Sequence, residues 1–317
     1  MGSPIEVLTG NIIHAFENAN PLSLNAHLNA TESGLIARQI DYDNGCDKVK
    51  TTHAKKESRE IYLQETYLSY LWSLIYSILV MYEEGVQKPL INNQFTGVID
   101  SSNPLLYRAR CLYEWAISLP TEYSHWDEQL PNPRNHLNDK ERFYAERANG
   151  IYQDAVAYNL FHEFAHLTLG HDAYFDETPP IDMTESQKAD RIQIENEADS
   201  FAFNMLIDSG APDRERLAKG LAVIIANIGS LLVVNSPSNL SQSTHPDLDD
   251  RLHRALMSLN LEEEINQFYG WYLGCLAIRL FVIKHGLEEE PKEYETAQEA
   301  FAAHLELFDK LKGSVIV

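Results

Sequence analysis

From about Asp139 to Leu169 apolar residues recur at three- and four-residue spacing, through Ile151, Ala155, Tyr158, His162, Ala165 and Leu169. That period predicts an amphipathic helix, and Gly170 is a natural stop for it. A loop marked by Pro179-Pro180 follows. Thr184-Glu-Ser-Gln187 has the form of a capping box and opens a helix running to about Asp208. Upstream, Glu57 to Glu84 reads as helix. Further helices are expected at about 212–234, 260–285 and 292–311, the last with Ala297, Phe301, His304, Leu305 and Phe308 on one stripe.

Sheet signals are weak by comparison. Asn29 to Ala54 holds short β-prone runs such as Gly34 to Ile40, broken by Asn44-Gly45, which predict one or two strands. Residues 120–138 are rich in Pro, Asn and Asp and read as loop. No internal repeat stands out. The expected fold class is mainly α (α+β) with a small sheet. Residues 1–58 form an N-terminal region packed on a helical domain spanning 59–317.

Thr66 to Tyr82 carries no charge over 17 residues. It falls short of a comfortable membrane span, and Glu65, Glu83 and Glu84 flank it without a Lys/Arg bias. A buried core helix is the expectation. Gly220 to Val234 and Phe268 to Ile283 are read the same way, the second being interrupted by Arg279.

Charge narrows the partners. Against 25 Lys+Arg the 317 residues hold 47 Asp+Glu, a formal net charge of −22. Such a surface repels phosphate backbones and anionic lipid, and favours a basic protein or peptide. Nucleic acid and membrane are therefore not expected as partners. Cys46, Cys111 and Cys275 are far apart and odd in number, which suits a reducing compartment and argues against a disulfide framework. No basic segment followed by an apolar run opens the sequence, so a cytoplasmic setting is expected.

Chemistry concentrates at His162-Glu163-Phe164-Ala165-His166, an HExxH motif on the long helix. This spacing puts two imidazoles one turn apart with a carboxylate beside them. That is the pattern of two zinc ligands and a general base, and it reads as a metal-dependent peptidase. A catalytic zinc site needs a third protein ligand and an open position. The helix after the capping box offers Glu195 and Asp199, four apart and on one face, whereas Glu197 lies roughly 200° around from Glu195. Glu195 is the expected third ligand. Asp199 is expected to accept a hydrogen bond from the second ring nitrogen of a ligand histidine, and small Ala198 lets the helices approach. Glu163 is the expected base. Tyr174 is a weaker candidate to stabilise the oxyanion than His245, which enters through the resemblance given below. His171, just past the helix, is expected beside the ligands rather than among them. Asp172 would be the third ligand of an HExxHxxGxxH frame, but that frame needs a glycine where Leu169 stands. The segment 171–184, joining the two motif helices, is the expected gate of the cleft.

HEFAHLTLGH followed by ENEAD resembles the gluzincin arrangement. Thr244-His245-Pro246 with Arg251 resembles the THPxxxxR signature of the membrane-bound Ste24/HtpX peptidases. A broader likeness, over most of residues 55–260, is to the Lit family of phage-exclusion peptidases, peptidase family U49. It rests on the same motifs, the Tyr/Trp-rich helix at 61–84, and Trp126 with Leu130-Pro131-x-Pro133. The resemblance implies a zincin-like peptidase domain holding Zn²⁺. It implies that His162, Glu163, His166 and Glu195 are catalytic and that Asp199 and His245 support them. It further implies cleavage of elongation factor Tu once a phage-derived activator is bound with it. Two alternatives stay open on the residues alone: a non-proteolytic, metal-containing regulatory module, and a membrane-associated protease using residues 66–82.

Overall fold

The structure is a computed structural model that describes residues 3–95, 100, 102–287 and 292–314. An N-terminal 3₁₀ turn, Pro4–Leu8, leads into two helices, α1 (Thr9–Asn18) and α2 (Pro21–Glu32). Asn20 and Ser23 cap α2 reciprocally, each satisfying an amide the helix leaves free. The helix closes on Gly34 at φ +72°. There the Leu35 amide donates to the Ala30 carbonyl and the Gly34 amide to that of Thr31. This pair of bonds is a Schellman motif, which requires a left-handed residue. It corrects the expected strand from Gly34 to Ile40: the glycine terminates a helix, and Ile36 tucks into the core.

The sheet follows from β1 (Asp41–Asp43), β2 (His53–Lys55) and β3 (Glu60–Gln64). Strand order is β1-β3-β2, with β1 parallel and β2 antiparallel to the central β3. Ile61, Tyr62, Leu63 and Gln64 are all buried. A short strand covered on both faces reads as an unbroken apolar run, which periodicity cannot separate from helix. The expected helix start at Glu57 is corrected accordingly, and α3 (Glu65–Tyr82) begins where β3 ends.

Almost every residue of α3 is buried, and three of its aromatic side chains meet polar groups of neighbouring helices. Trp72 donates to Asn149 at 2.7 Å, Tyr70 to the Gly229 carbonyl at 2.7 Å, and Asn159 to the Tyr67 hydroxyl at 2.7 Å. Polar ends anchored this way suit a helix surrounded by protein. A π-helical turn, Glu83–Gln87, leads into short α4 (Lys88–Ile91). Then α5 (Pro104–Ser118), capped by Asn103, packs on α3.

Asn138 caps the long α6 (Asp139–Thr168), and Gly170 at φ +77° follows its end. Thr184 and Gln187 form the capping box of α7 (Glu185–Leu206). The remaining helices are α8 (Asp213–Val233), α9 (Leu248–Ser258), α10 (Glu264–Lys284) and α11 (Ala297–Ser314). The helix expected from residue 260 starts at Glu264 instead, because Asn260 takes φ +43° and breaks the chain after α9. Among its neighbours α6 packs on α1, α3, α7 and α8, so it runs through the middle of a mainly helical fold. One hydrophobic cluster extends from Ile5 to Phe308. Among the described residues one helix, α8, is long and apolar enough to cross a membrane by length and composition, and 67% of that stretch is buried in the protein. The three cysteines form no disulfide among the described residues.

Candidate active site

The last turns of α6 bring His162, Glu163 and His166 to its contact with α7, where Glu195 and Asp199 occupy one face. His162, His166 and Glu195 are 8%, 1% and 3% exposed, so their donors converge out of bulk water. The two Nε2 atoms lie 3.2 Å apart. Glu195 Oε2 is 3.2 Å from that of His162, and Oε1 is 3.8 Å from that of His166. Ligands 2.0–2.1 Å from a tetrahedral zinc ion stand about 3.3 Å from one another, so the donor set fits zinc in size. It also fits in charge. Asp199 Oδ1 sits 2.9 Å from His162 Nδ1, which places the ring proton there and leaves the Nε2 lone pair facing its neighbours. Lone pairs and a carboxylate gathered in a buried space call for a cation between them.

The protonation preferences express the same demand. Burial opposes a charged His162, yet the bonds to Asp199 and Glu195 outweigh it and raise its pKa to about 10. His166, buried and beside His162, is lowered to about 3. Glu195 is held at about 2 in spite of burial, by His162 and then His245. Burial likewise works against the Asp199 carboxylate, but Arg251 and His162 keep it well below the usual range. Arg251 reaches it with Nε at 2.9 Å and Nη2 at 2.6 Å. The Tyr158 hydroxyl adds a longer contact at 3.3 Å. A continuous chain of charged contacts thus runs from α9 through α7 to the α6 histidine.

Glu163 is 6% exposed and its Oε2 is held from two directions. The Ala54 amide of β2 donates at 2.7 Å and the Tyr174 hydroxyl at 3.1 Å. Burial pushes its pKa up to about 7, with His162 opposing and Glu195 adding to the rise. Tyr174 also stacks on His166, ring centroids 3.8 Å apart. It comes from a 3₁₀ turn, Asp172–Phe175, and a second turn, Pro180–Asp182, follows before α7. His245, in the loop before α9, brings Nε2 to 3.3 Å from Glu195 Oε1.

His171 is buried, its Nδ1 3.0 Å from His166 Nδ1 and its Nε2 3.4 Å from Glu197. Asp172 lies outside the cluster, exposed and paired with Lys56 at 3.0 Å. All the other site residues expected from the sequence fall within this one neighbourhood.

The family model described as Peptidase U49 matches residues 61–273, a span that includes everything from His162 to Arg251. The chain belongs to the U49 peptidases. A relative from Escherichia coli (strain K12), named cell death peptidase, is 27% identical over 201 residues. That alignment covers 62% of this chain and 62% of the relative, so the chain matches less than two thirds of the relative's length. No solved structure matches it.

Sequence reasoning missed three contributors in this U49 peptidase. The Ala54 amide has no side-chain signature at all. Tyr158 stands four residues before His162, on the same helical stripe, and that spacing was the available signal. Glu197 projects away from Glu195 along α7, yet the turn after α6 carries His171 around to meet it.

Proposed function

We propose that this protein is a zinc-dependent endopeptidase of the gluzincin type, acting on a protein substrate in the cytoplasm. The observation that carries the reading is the buried His162, His166 and Glu195 cluster, its ligand atoms all within 4.8 Å of one another, with Glu163 on the adjoining turn. These three side chains would hold the metal. When bound, zinc supplies Lewis acidity, acidifying water and polarising a carbonyl.

The protein's own residues do the rest. Glu163 takes a proton from the attacking water at its carboxylate and hands it to the leaving amine. A pKa pushed up by burial suits a group that must both accept and release a proton near neutrality. His245 and Tyr174 are the two donors able to meet a developing oxyanion. Asp199, anchored by Arg251, keeps the His162 ring in the tautomer that offers Nε2 to the ion.

The family membership and the name of the E. coli relative support a peptidase role in cell death. We extend this to phage defence, with elongation factor Tu as substrate and a phage-derived polypeptide as activator, on the motifs shared with Lit-type enzymes. Terminal proteomics on bacteria expressing wild type or Glu163→Gln tests it. New N-termini within elongation factor Tu are expected with wild type only, while the variant keeps one zinc per chain. Cleavage undiminished in Glu163→Gln would overturn the mechanism. New termini confined to other proteins would overturn the substrate.

A further inference from the structure

A cavity of about 880 Å³ opens where the N-terminal turn, the start of α3 and the loop bearing Trp126 meet. None of the residues placed in the candidate active site lines it. Thr66 and Ser69 contribute hydroxyls to its wall, and the Trp126 indole nitrogen is buried with no hydrogen-bond partner among the described residues. A buried donor left this way costs free energy until something pairs with it. Trp115 and Trp126 form one wall, ring centroids 4.9 Å apart and planes tilted by 47°. Glu6, Glu65 and Glu128 also line the space, against the single guanidinium of Arg134. None of these three carboxylates has a lysine or arginine partner among the described residues. Burial lifts the Glu65 carboxyl above its usual range; the Tyr42 hydroxyl at 3.1 Å offsets part of this, and Glu6 adds to it.

We infer that this cavity binds a lysine or arginine side chain presented by an extended, basic segment of a partner polypeptide. Each wall supplies one part of the recognition. Indole faces attract a cation, the carboxylates supply the countercharge, and the Thr66 and Ser69 hydroxyls accept hydrogen bonds. The volume exceeds that of one basic side chain several-fold, which leaves room for flanking backbone and favours a polypeptide over a free amine. A net charge of −22 steers such a segment toward the protein from a distance.

Binding is measurable without catalysis. The probe is a fluorescein-labelled seven-residue peptide of glycine, lysine and arginine, titrated by anisotropy into full-length Glu163→Gln protein. Saturable binding is expected, weakened about tenfold by Glu65→Gln and by Trp126→Leu. Circular dichroism checks that each variant folds. Glu128→Gln, at the exposed rim, is expected to lose about threefold even if Trp126→Leu does not fold. A peptide with norleucine in place of lysine and arginine is expected not to bind. Equal binding of the norleucine peptide overturns the inference, as does unchanged affinity in both glutamate variants. Putrescine binding as tightly as the peptide would make this a small-amine site and overturn it too.

Discussion

Replacing Arg251 with methionine tests whether the Asp199–His162 pair depends on α9. The substitution keeps the volume and removes both guanidinium contacts to Asp199, at 2.9 and 2.6 Å. Arg254, whose nearest nitrogen is 3.9 Å from Asp199, is too distant to replace them. Breaking a buried ion pair by removing one partner costs about 3–5 kcal/mol, because the other charge is stranded. Asp199 keeps His162 at 2.9 Å, so the lower end, about 3 kcal/mol, is expected. A second loss is expected in metal binding. Losing the arginine that anchors the carboxylate behind a ligand histidine is an outer-shell change, which typically weakens affinity about 10–100-fold, equivalent to about 1.4–2.7 kcal/mol. Urea unfolding in the presence of a chelator reads the first quantity, and zinc competition against a chromophoric chelator reads the second. In Asp199→Asn/Arg251→Met the stranded charge is gone while an oxygen still faces His162, so the double variant is expected to be more stable than Arg251→Met alone. A double variant less stable than the single one would refute the coupling, as would an Arg251→Met protein with wild-type stability and zinc affinity.

Tyr174→Phe keeps the ring stacked on His166 and deletes the hydroxyl on Glu163; kcat is expected to fall about 10²-fold with KM little changed, and an unchanged kcat would leave Tyr174 a packing role only. Glu84, its side chain 6% exposed, accepts from Lys140 and Tyr144 at 2.6 Å each and from Lys88. Those partners outweigh its burial and lower its pKa from 4.5 to about 2. Its folded pKa lies below its unfolded one, so its contribution is full above about pH 4.5 and disappears as pH falls toward 2. With both lysines about half exposed to solvent, Glu84→Gln is expected to cost about 1–2 kcal/mol at pH 7, shrinking steadily in urea titrations from pH 5 to pH 2.5. A penalty independent of pH would remove the ion pairs from the explanation. Gly170→Ala forces a Cβ into φ +77° with no clash to relieve; a loss of about 1–2 kcal/mol is expected, and Gly170→Asn is expected to recover part of it by the same assay.

The helical part of the fold was legible because its signals are local. Asn138 and Thr184 cap helices whose apolar spacing is unbroken, so α6 and α7 could be read almost to the residue. So could the face shared by Glu195 and Asp199. A small sheet was expected, but its strands could not be placed, because β1 and β2 are three residues each and their meaning comes from pairing with β3. Gly34 shows the same limit from another side. A glycine amid β-prone residues looks like a strand signal until the carbonyls of Ala30 and Thr31 are seen to need its amide and the next one. The two helices before it, α1 and α2, went unread for want of a long periodic run, and α5 for want of any feature beyond Asn103-Pro104. At the candidate site, side chains on helices were found by spacing. The Ala54 amide could not be, since any residue but proline offers the same group. His245 and Arg251 came through the THPxxxxR resemblance, and only the folded chain brings them beside Glu195 and Asp199.

The anchoring of His162 through Asp199 to Arg251 sets an order of assembly during synthesis. Arg251 leaves the ribosome roughly ninety residues after His162, a delay of about 4–18 s at bacterial elongation rates of about 5–20 residues per second. Throughout that interval a nascent chain carries the HExxH segment without the arginine that steadies it. A chain stalled at residue 240 is expected to retain zinc poorly on dilution, whereas one stalled far enough beyond α9 to free it from the exit tunnel retains it. A peptidase built this way would complete the support of its candidate site only when its own synthesis is nearly done.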